Sequence, residues 1–138
     1  IEQDAQTLKD NYSDGAYAQY AALLLAKLAV ADDDLEKAES ELRWVRTNGA
    51  ESKLVSLSEI RLARVLWAQG YLSQALELVE LAYRDDAWQS LRLEVKGDIL
   101  AAQGNNVAAR GAYLEAKQLA DQRANTALLS LKLDNLIE

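Results

Sequence analysis

The 138 residues contain no cysteine, histidine, methionine, proline or phenylalanine, and each absence excludes something. Without cysteine there are no disulfides and no thiol nucleophile, and the redox compartment leaves no mark on the chain. Without histidine the commonest general base and the commonest metal ligand are both missing. Carboxylate or Ser-Lys chemistry remains, but no spacing singles out such a pair, so neither catalysis nor a cofactor is expected. Without methionine, Ile1 is not a translation start as the chain is written, and a processed or excised stretch is the expectation. Long hydrophobic runs are missing too. The longest, Tyr20 to Ala31, has twelve residues and includes Lys27, short of the roughly 20 that span a bilayer, so any anchor or signal is expected upstream. Basic residues are outnumbered, 15 against 22 acidic, for a net charge of −7 and a pI near 4.7. That balance argues against a nucleic-acid partner, which needs clustered Lys and Arg, and against an anionic lipid surface.

What is present is alanine and leucine in a chain that is 50% hydrophobic. Intrinsic propensity therefore favours helix almost everywhere, and the length suits one domain over residues 1–138 that buries roughly 68–70% of its unfolded surface. An all-α fold is expected. Its unit is clearest from Leu62 to Ala82, LARVLWAQGYLSQALELVELA, where an apolar helix stops at Gln69-Gly70 and a second one carries Ala75, Val79 and Ala82 on one face. Moved 34 residues on, Gly70, Ala75, Val79 and Ala82 become Gly104, Ala109, Tyr113 and Ala116, which is the tetratricopeptide period. Moved 37 back, they become Asp33, Ala38, Leu42 and Val45, with the three-residue surplus assigned to a loop around Asn48 to Ser52.

In chain order, residues 1–12 read as a flanking helix with Ala5, Leu8 and Tyr12 on one side, after which Ser13 or Asp14 could cap. Residues 16–31 are apolar enough to lie between neighbours, with Gln19 and Lys27 as their polar surface. Asp32-Asp33-Asp34 is a capping turn and not a calcium loop, since it lacks alternating ligands and a glycine. Leu35 to Thr47 is amphipathic, with a Glu39–Arg43 pair at i,i+4. Its Trp44 falls off the apolar stripe, either filling the seam to the next repeat or standing out as a contact residue. Further helices are read over 52–69, 71–84, 87–103, 107–121 and 125–137. Asp85-Asp86 can cap the helix over 87–103, in which Gly97 sits where close helix approach wants a tiny residue, and the count is eight helices in three hairpins and two flanks. The last helix, bearing Lys132, Asp134 and Asn135 among its leucines, would close the open end with a polar face. The architecture is thus a tetratricopeptide-like solenoid of about three hairpins with N- and C-terminal flanking helices.

In such stacks the first helix of each hairpin lines the concave surface. Repeat position then gives three rows: Lys27, Arg64 and Asp98; Val30, Trp67 and Ala101; Leu23, Ile60 and Glu94. The eight residues Leu23, Lys27, Val30, Ile60, Arg64, Trp67, Glu94 and Asp98 are the candidate partner-binding set, with an apolar centre and a charged rim suited to an extended or helical peptide. The competing reading packs Trp67 and Ile60 against the flanking helices. A carboxylate-tail clamp of the co-chaperone kind is rejected, because its places hold Lys27, Leu24 and Arg61 without the asparagines it requires.

The segments AYAQYAALLLAKLAV (16–30), RLARVLWAQG (61–70), KGDILAAQGNNVAARGAY (96–113) and LLSLKLDNL (128–136) resemble the YfgM-type family of bacterial ancillary SecYEG translocon subunits, in order and over nearly the whole chain. The resemblance implies a tetratricopeptide-like domain on the periplasmic side of the bacterial inner membrane, held by a single upstream membrane helix. It implies protein partners: the SecYEG translocon, a PpiD-type membrane-anchored folding factor, and exported polypeptides passed on to periplasmic chaperones. It supplies no binding motif residue by residue. The alternatives are a structural adaptor of an envelope complex that binds no clients, and a cytoplasmic scaffold.

Overall fold

Three turns set the frame. Among the described residues, Asp33, Gly70 and Gly104 are those with a left-handed backbone, at φ of 59°, 90° and 81°, the three positions that the repeat register equates. Each turn closes with the same two bonds. The residue in the left-handed conformation donates back three residues, as Gly70 N does to Trp67 O at 2.9 Å and Gly104 N to Ala101 O at 3.0 Å. The next residue donates back five, Asp34 N to Ala29 O at 2.8 Å, Tyr71 N to Leu66 O at 2.8 Å, and Asn105 N to Leu100 O at 2.9 Å. These are Schellman closures, which satisfy the last carbonyls of one helix while reversing the chain into the next. Asp34 and Asn105 then cap that next helix by accepting from Lys37 N and Ala108 N, each cap stabilising by about 1 kcal/mol.

The computed structural model describes residues 1–11, 15–82, 85–120 and 126–136. Among them lie eight α-helices: α1 Glu2–Asn11, α2 Ala16–Ala31, α3 Leu35–Asn48, α4 Ser52–Ala68, α5 Leu72–Leu81, α6 Gln89–Ala102, α7 Asn106–Leu119 and α8 Thr126–Asp134. The proposed caps Ser13 and Asp14, with Tyr12, Tyr83, Arg84, Asp121, Asn125 and Ile137, fall outside the described residues. Asp85 does cap, accepting from Ala87 N at 3.0 Å, but what it starts is a 3-10 turn, Asp86–Trp88, and α6 begins only at Gln89. Trp88 Nε1 donates to Lys53 O at 2.8 Å, which fastens that turn to the start of α4.

Each helix packs on its sequence neighbour, and α2 also touches α4, and α4 touches α6. The first helices of the three hairpins therefore form an inner row, with α3, α5 and α7 outside it. The register residues are all buried: Ala38, Ala75 and Ala109 at 0% exposure, with Leu42, Val79 and Tyr113 below them. The main core runs from Ala22 in α2 to Ile99 in α6. Burying side chains such as Leu42, Ile60 and Leu62 stabilises by about 1.5–3 kcal/mol each. A second cluster joins α6, α7 and α8 through Leu93, Tyr113 and Leu129, and a small third one seats Ala5 of α1 on Ala21 and Leu25. The Lys9 ammonium fixes α1 further, donating to Glu41 Oε2 at 2.7 Å and lying 4.8 Å from the centre of the Trp44 ring. Trp44 is thus half-buried against the core and α1.

Three expectations change in the structure. The three-residue surplus lies in no loop: α3 runs three residues past Val45 to Asn48, whereas α5 ends at Leu81, one before the equivalent Ala82. Gln19 is not surface but 2% exposed, with no hydrogen-bond partner for Oε1. The Glu39–Arg43 pair forms at 2.9 Å, and α8 leaves Asp134 and the following Asn135 exposed but does not present one polar face. Leu128 and Leu131 face solvent at 41% and 55% exposure while Lys132 turns inward, for a reason given below.

Candidate functional site

The inner row divides into two halves of different character. In the third hairpin, Glu94 and Asp98 stand one turn apart on α6, at 5% and 9% exposure. Two buried carboxylates at i,i+4 repel one another and require cations. Lys132 supplies one, reaching from α8 to Glu94 Oε1 at 2.8 Å and to Asp98 at 2.9 Å. Arg64 of α4 lies more loosely at 3.9 and 3.8 Å from the same two groups. Tyr113 donates from its hydroxyl to Asp98 Oδ1 at 2.6 Å. Burial first, and then that hydrogen bond and the neighbouring charge of Asp98 and Glu94, push the Tyr113 hydroxyl far above the ordinary tyrosine range. Two anions and two cations balance here, and α8 covers them. This need for a cation is what turns Lys132 inward.

The first two hairpins remain open. Between α2 and α4 lie two adjoining concavities that share Lys27 and Arg61. One, about 290 Å³, has Ala26, Val30, Leu35, Leu42, Val65 and Ala68 as its apolar walls and Lys27, Arg61 and Arg64 as its polar ones. The other, about 340 Å³, is walled by Tyr20, Leu23, Leu24, Leu54, Leu57 and Trp88 with Lys27, Lys53 and Arg61. On α4 the groove face reads Lys53, Leu57, Arg61 and Arg64, a single stripe at i, i+4, i+8 and i+11. From Lys53 to Arg64 that stripe spans about 16 Å of helix. Tyr20 and Leu24, 56% and 39% exposed, continue the apolar surface on α2. The Arg61 guanidinium is lowered from the ordinary arginine value by partial desolvation against these walls, and it stays charged.

The residues expected to line one surface are therefore split. Lys27, Val30 and Arg64 are exposed and line the open groove. Leu23 and Ile60 are 5% and 1% exposed, because the α2–α4 seam needs them as core, and of the two only Leu23 reaches the wall of a concavity. Trp67 is half-buried against the same core, and Ala101 packs on the second cluster. Glu94 and Asp98 are committed to Lys132, Arg64 and Tyr113. Sequence reasoning missed Tyr20, Lys53 and Trp88, and it met Leu24 and Arg61 only as places of a clamp it rejected. The stripe of cations on α4 was the available signal.

A family model described as a tetratricopeptide repeat-like domain matches residues 1–138. Over 98% of its length the chain is 33% identical to the ancillary SecYEG translocon subunit of Aggregatibacter actinomycetemcomitans, covering 65% of that protein. It is 30% identical to the ancillary SecYEG translocon subunit of Haemophilus influenzae, over 99% of this chain and 69% of the relative. With the subunit of that name from Neisseria gonorrhoeae it shares 29% identity over 99% of this chain and 65% of the relative. The chain spans about two thirds of the length of these relatives.

Proposed function

The chain belongs to the tetratricopeptide repeat-like family of ancillary SecYEG translocon subunits, and from that premise we propose that it is a non-catalytic protein-interaction domain working beside the translocon at the bacterial inner membrane. In this reading it faces the periplasm and is held there by a membrane-spanning segment outside residues 1–138. It engages SecYEG, a PpiD-type membrane-anchored folding factor and exported polypeptides, and assists their hand-over to periplasmic chaperones. No helix among the described residues is long and apolar enough to cross a membrane.

The observation that carries this reading is the open α2–α4 groove, an exposed apolar surface on the inner row with cations among its walls. A second helix or an extended strand laid into it would bury Tyr20, Leu24 and Val30 without disturbing the core. The test is a photo-crosslinking amino acid placed in the full-length protein in cells, at Val30 in the groove and at Ser40 on the exposed side of α3. Capture of translocon, folding factor or exported chains at Val30 is expected. Capture at Ser40 with none at Val30 would sink the groove assignment.

Exposed leucines favour a second reading, an adaptor that assembles an envelope complex through its outer and terminal surfaces. Leu81, Leu114 and Leu119 on the outer row are 72%, 48% and 54% exposed. A crosslinker at Leu119 that traps a stoichiometric partner, with no client trapped at Val30, would establish that reading instead.

A further inference from the structure

We propose that the α2–α4 groove selects protein segments carrying carboxylate side chains alongside apolar ones, with Lys27 and Arg61 as the central pair of cations that receive them. The inference rests on the groove being the partner surface, and it names what that surface prefers.

Three observations lead to it. The groove walls hold Lys27, Lys53, Arg61 and Arg64 and no Asp or Glu, in a chain where acids outnumber bases by 22 to 15. A cationic stripe free of carboxylates is therefore a local reversal of the molecule's charge and no reflection of its composition. Next, three of the four cations are not engaged internally: among the described residues Lys27, Lys53 and Arg61 have no ion pair, while Arg64 leans loosely on Glu94 and Asp98 at 3.9 and 3.8 Å, and exposed cations elsewhere are paired, such as Arg43 with Glu39 and Lys37 with Glu2. Arg61 is in addition partly desolvated without a counter-ion, a cost that an incoming carboxylate would offset. Third, the cations alternate with apolar wall. Lys53, Leu57 and Arg61 succeed one another along α4, facing Leu24 and Lys27 on α2, so a ligand must bring both chemistries in a similar spacing.

The net charge of −7 does not defeat this. Charges beyond about 8 Å are largely screened at physiological ionic strength, so a docked segment responds to the groove cations in contact with it. With acids outnumbering bases by 22 to 15, an acidic segment meets repulsive contacts more often than attractive ones on the rest of the surface, which gives the groove its selectivity. The occupant is a helix of about three turns or a comparable extended stretch, matched to the length of the stripe.

The experiment uses the chain and three fluorescein-labelled, acetylated and amidated peptides of about 16 residues. All carry leucine at i, i+3, i+4 and i+7, and their remaining positions are rich in Glu, in Gln or in Lys. Blocking both ends removes terminal carboxylates, so only side-chain acids are read. Fluorescence anisotropy should show the Glu peptide binding about tenfold more tightly than the Gln peptide, as expected for two or three exposed charge contacts, and the Lys peptide weakest. The preference should shrink at high salt. K27Q/R61Q, at two exposed positions and checked for retained helicity by circular dichroism, should remove most of the Glu-over-Gln difference. Equal binding of the Glu and Gln peptides, or a preference that K27Q/R61Q leaves intact, overturns the proposal. If V30D then weakens both peptides alike, the groove reading survives that failure. If no peptide binds, the acidic-segment proposal falls, while crosslinking at Val30 against Ser40 still decides the groove itself.

Discussion

Gly97 and Gly111 offer the same substitution in two environments. Both lie inside helices, α6 and α7, so Gly→Ala should gain about 1 kcal/mol of helix propensity at each. At Gly111 nothing lies within 4 Å of the added methyl, and G111A should realise that gain. At Gly97 the methyl would sit 2.5, 2.6 and 3.0 Å from Cε1, Cδ1 and Cζ of Tyr113, against a normal carbon separation of about 3.5–4.0 Å. The ring must therefore move by about 1 Å. It is 3% exposed, packed in the second core cluster, and its hydroxyl is tied to Asp98 at 2.6 Å. Overpacking costs about 1–3 kcal/mol, and weakening a hydrogen bond to a charged group adds about 1.5–3 kcal/mol. Subtracting the propensity gain leaves a net loss of about 1.5–5 kcal/mol for G97A, centred near 3.

Urea and thermal unfolding followed by circular dichroism would read this directly. For a chain of this size 1 kcal/mol moves the thermal midpoint by about 3–5 °C, so G97A should fall by roughly 10 °C while G111A rises by a few. The decisive arm is G97A in a Tyr113→Leu background, which removes both the ring and its hydroxyl. There the substitution should become neutral or stabilising, a change of sign that only direct coupling produces. The close-packing argument is refuted if G97A stabilises as G111A does, or if its cost is unchanged when the ring is absent.

Two further outcomes follow from the same cluster. Because the Tyr113 hydroxyl is raised well above its unfolded value near 10, its contribution is fully present below pH 10 and is lost as pH rises beyond that, since the unfolded chain ionises first. Urea midpoints between about pH 9 and 11.5 should drop more steeply for the wild type than for Tyr113→Phe, and identical slopes would contradict the assignment. Lys132→Met leaves Glu94 and Asp98 buried with Arg64 alone, at 3.8–3.9 Å, and should cost about 2–4 kcal/mol. Adding Glu94→Gln should recover part of that loss in the same denaturation assay, and no recovery would mean that charge is not the cause.

The helices and their register were legible because they depend on local chemistry. A left-handed residue after each inner helix and an alanine five residues later are short-range requirements, and Asp33 meets the first as Gly70 and Gly104 do. Which side of α2 and α4 is wet was legible only in part. Repeat position gave Lys27, Val30 and Arg64, which are exposed in the groove, but also Leu23 and Ile60, which are buried; the exposed neighbours are Leu24 and Arg61, one residue further in each helix. One residue is about 100° of rotation, enough to exchange core for surface. α2 could not correct the error, since it is apolar nearly all round and even its Gln19 is buried. On α4 the spacing of Lys53, Arg61 and Arg64 could have done so. The Lys132 cluster depends on docking α8 across 34 to 38 residues of sequence, although two carboxylates at i,i+4 in a mostly buried helix already signal a missing cation.

That cluster also explains why the open groove is where it is. A solenoid with three inner helices offers inner surface on all three, yet α6 spends its acids on Lys132 and Tyr113 and is covered by α8. Arg64 marks the border, lining the groove on one side while leaning on Glu94 and Asp98 at the other. It therefore couples the halves. With Lys132 in place the acids are neutralised locally, and Arg64 stays loose enough to face a ligand. Weaken the α8 attachment and Arg64 becomes the sole cation for two buried carboxylates, which would draw it out of the groove. The terminal helix, by supplying one lysine, keeps a positive charge available some distance from where it docks, and the charge of the groove becomes a consequence of how the solenoid is closed.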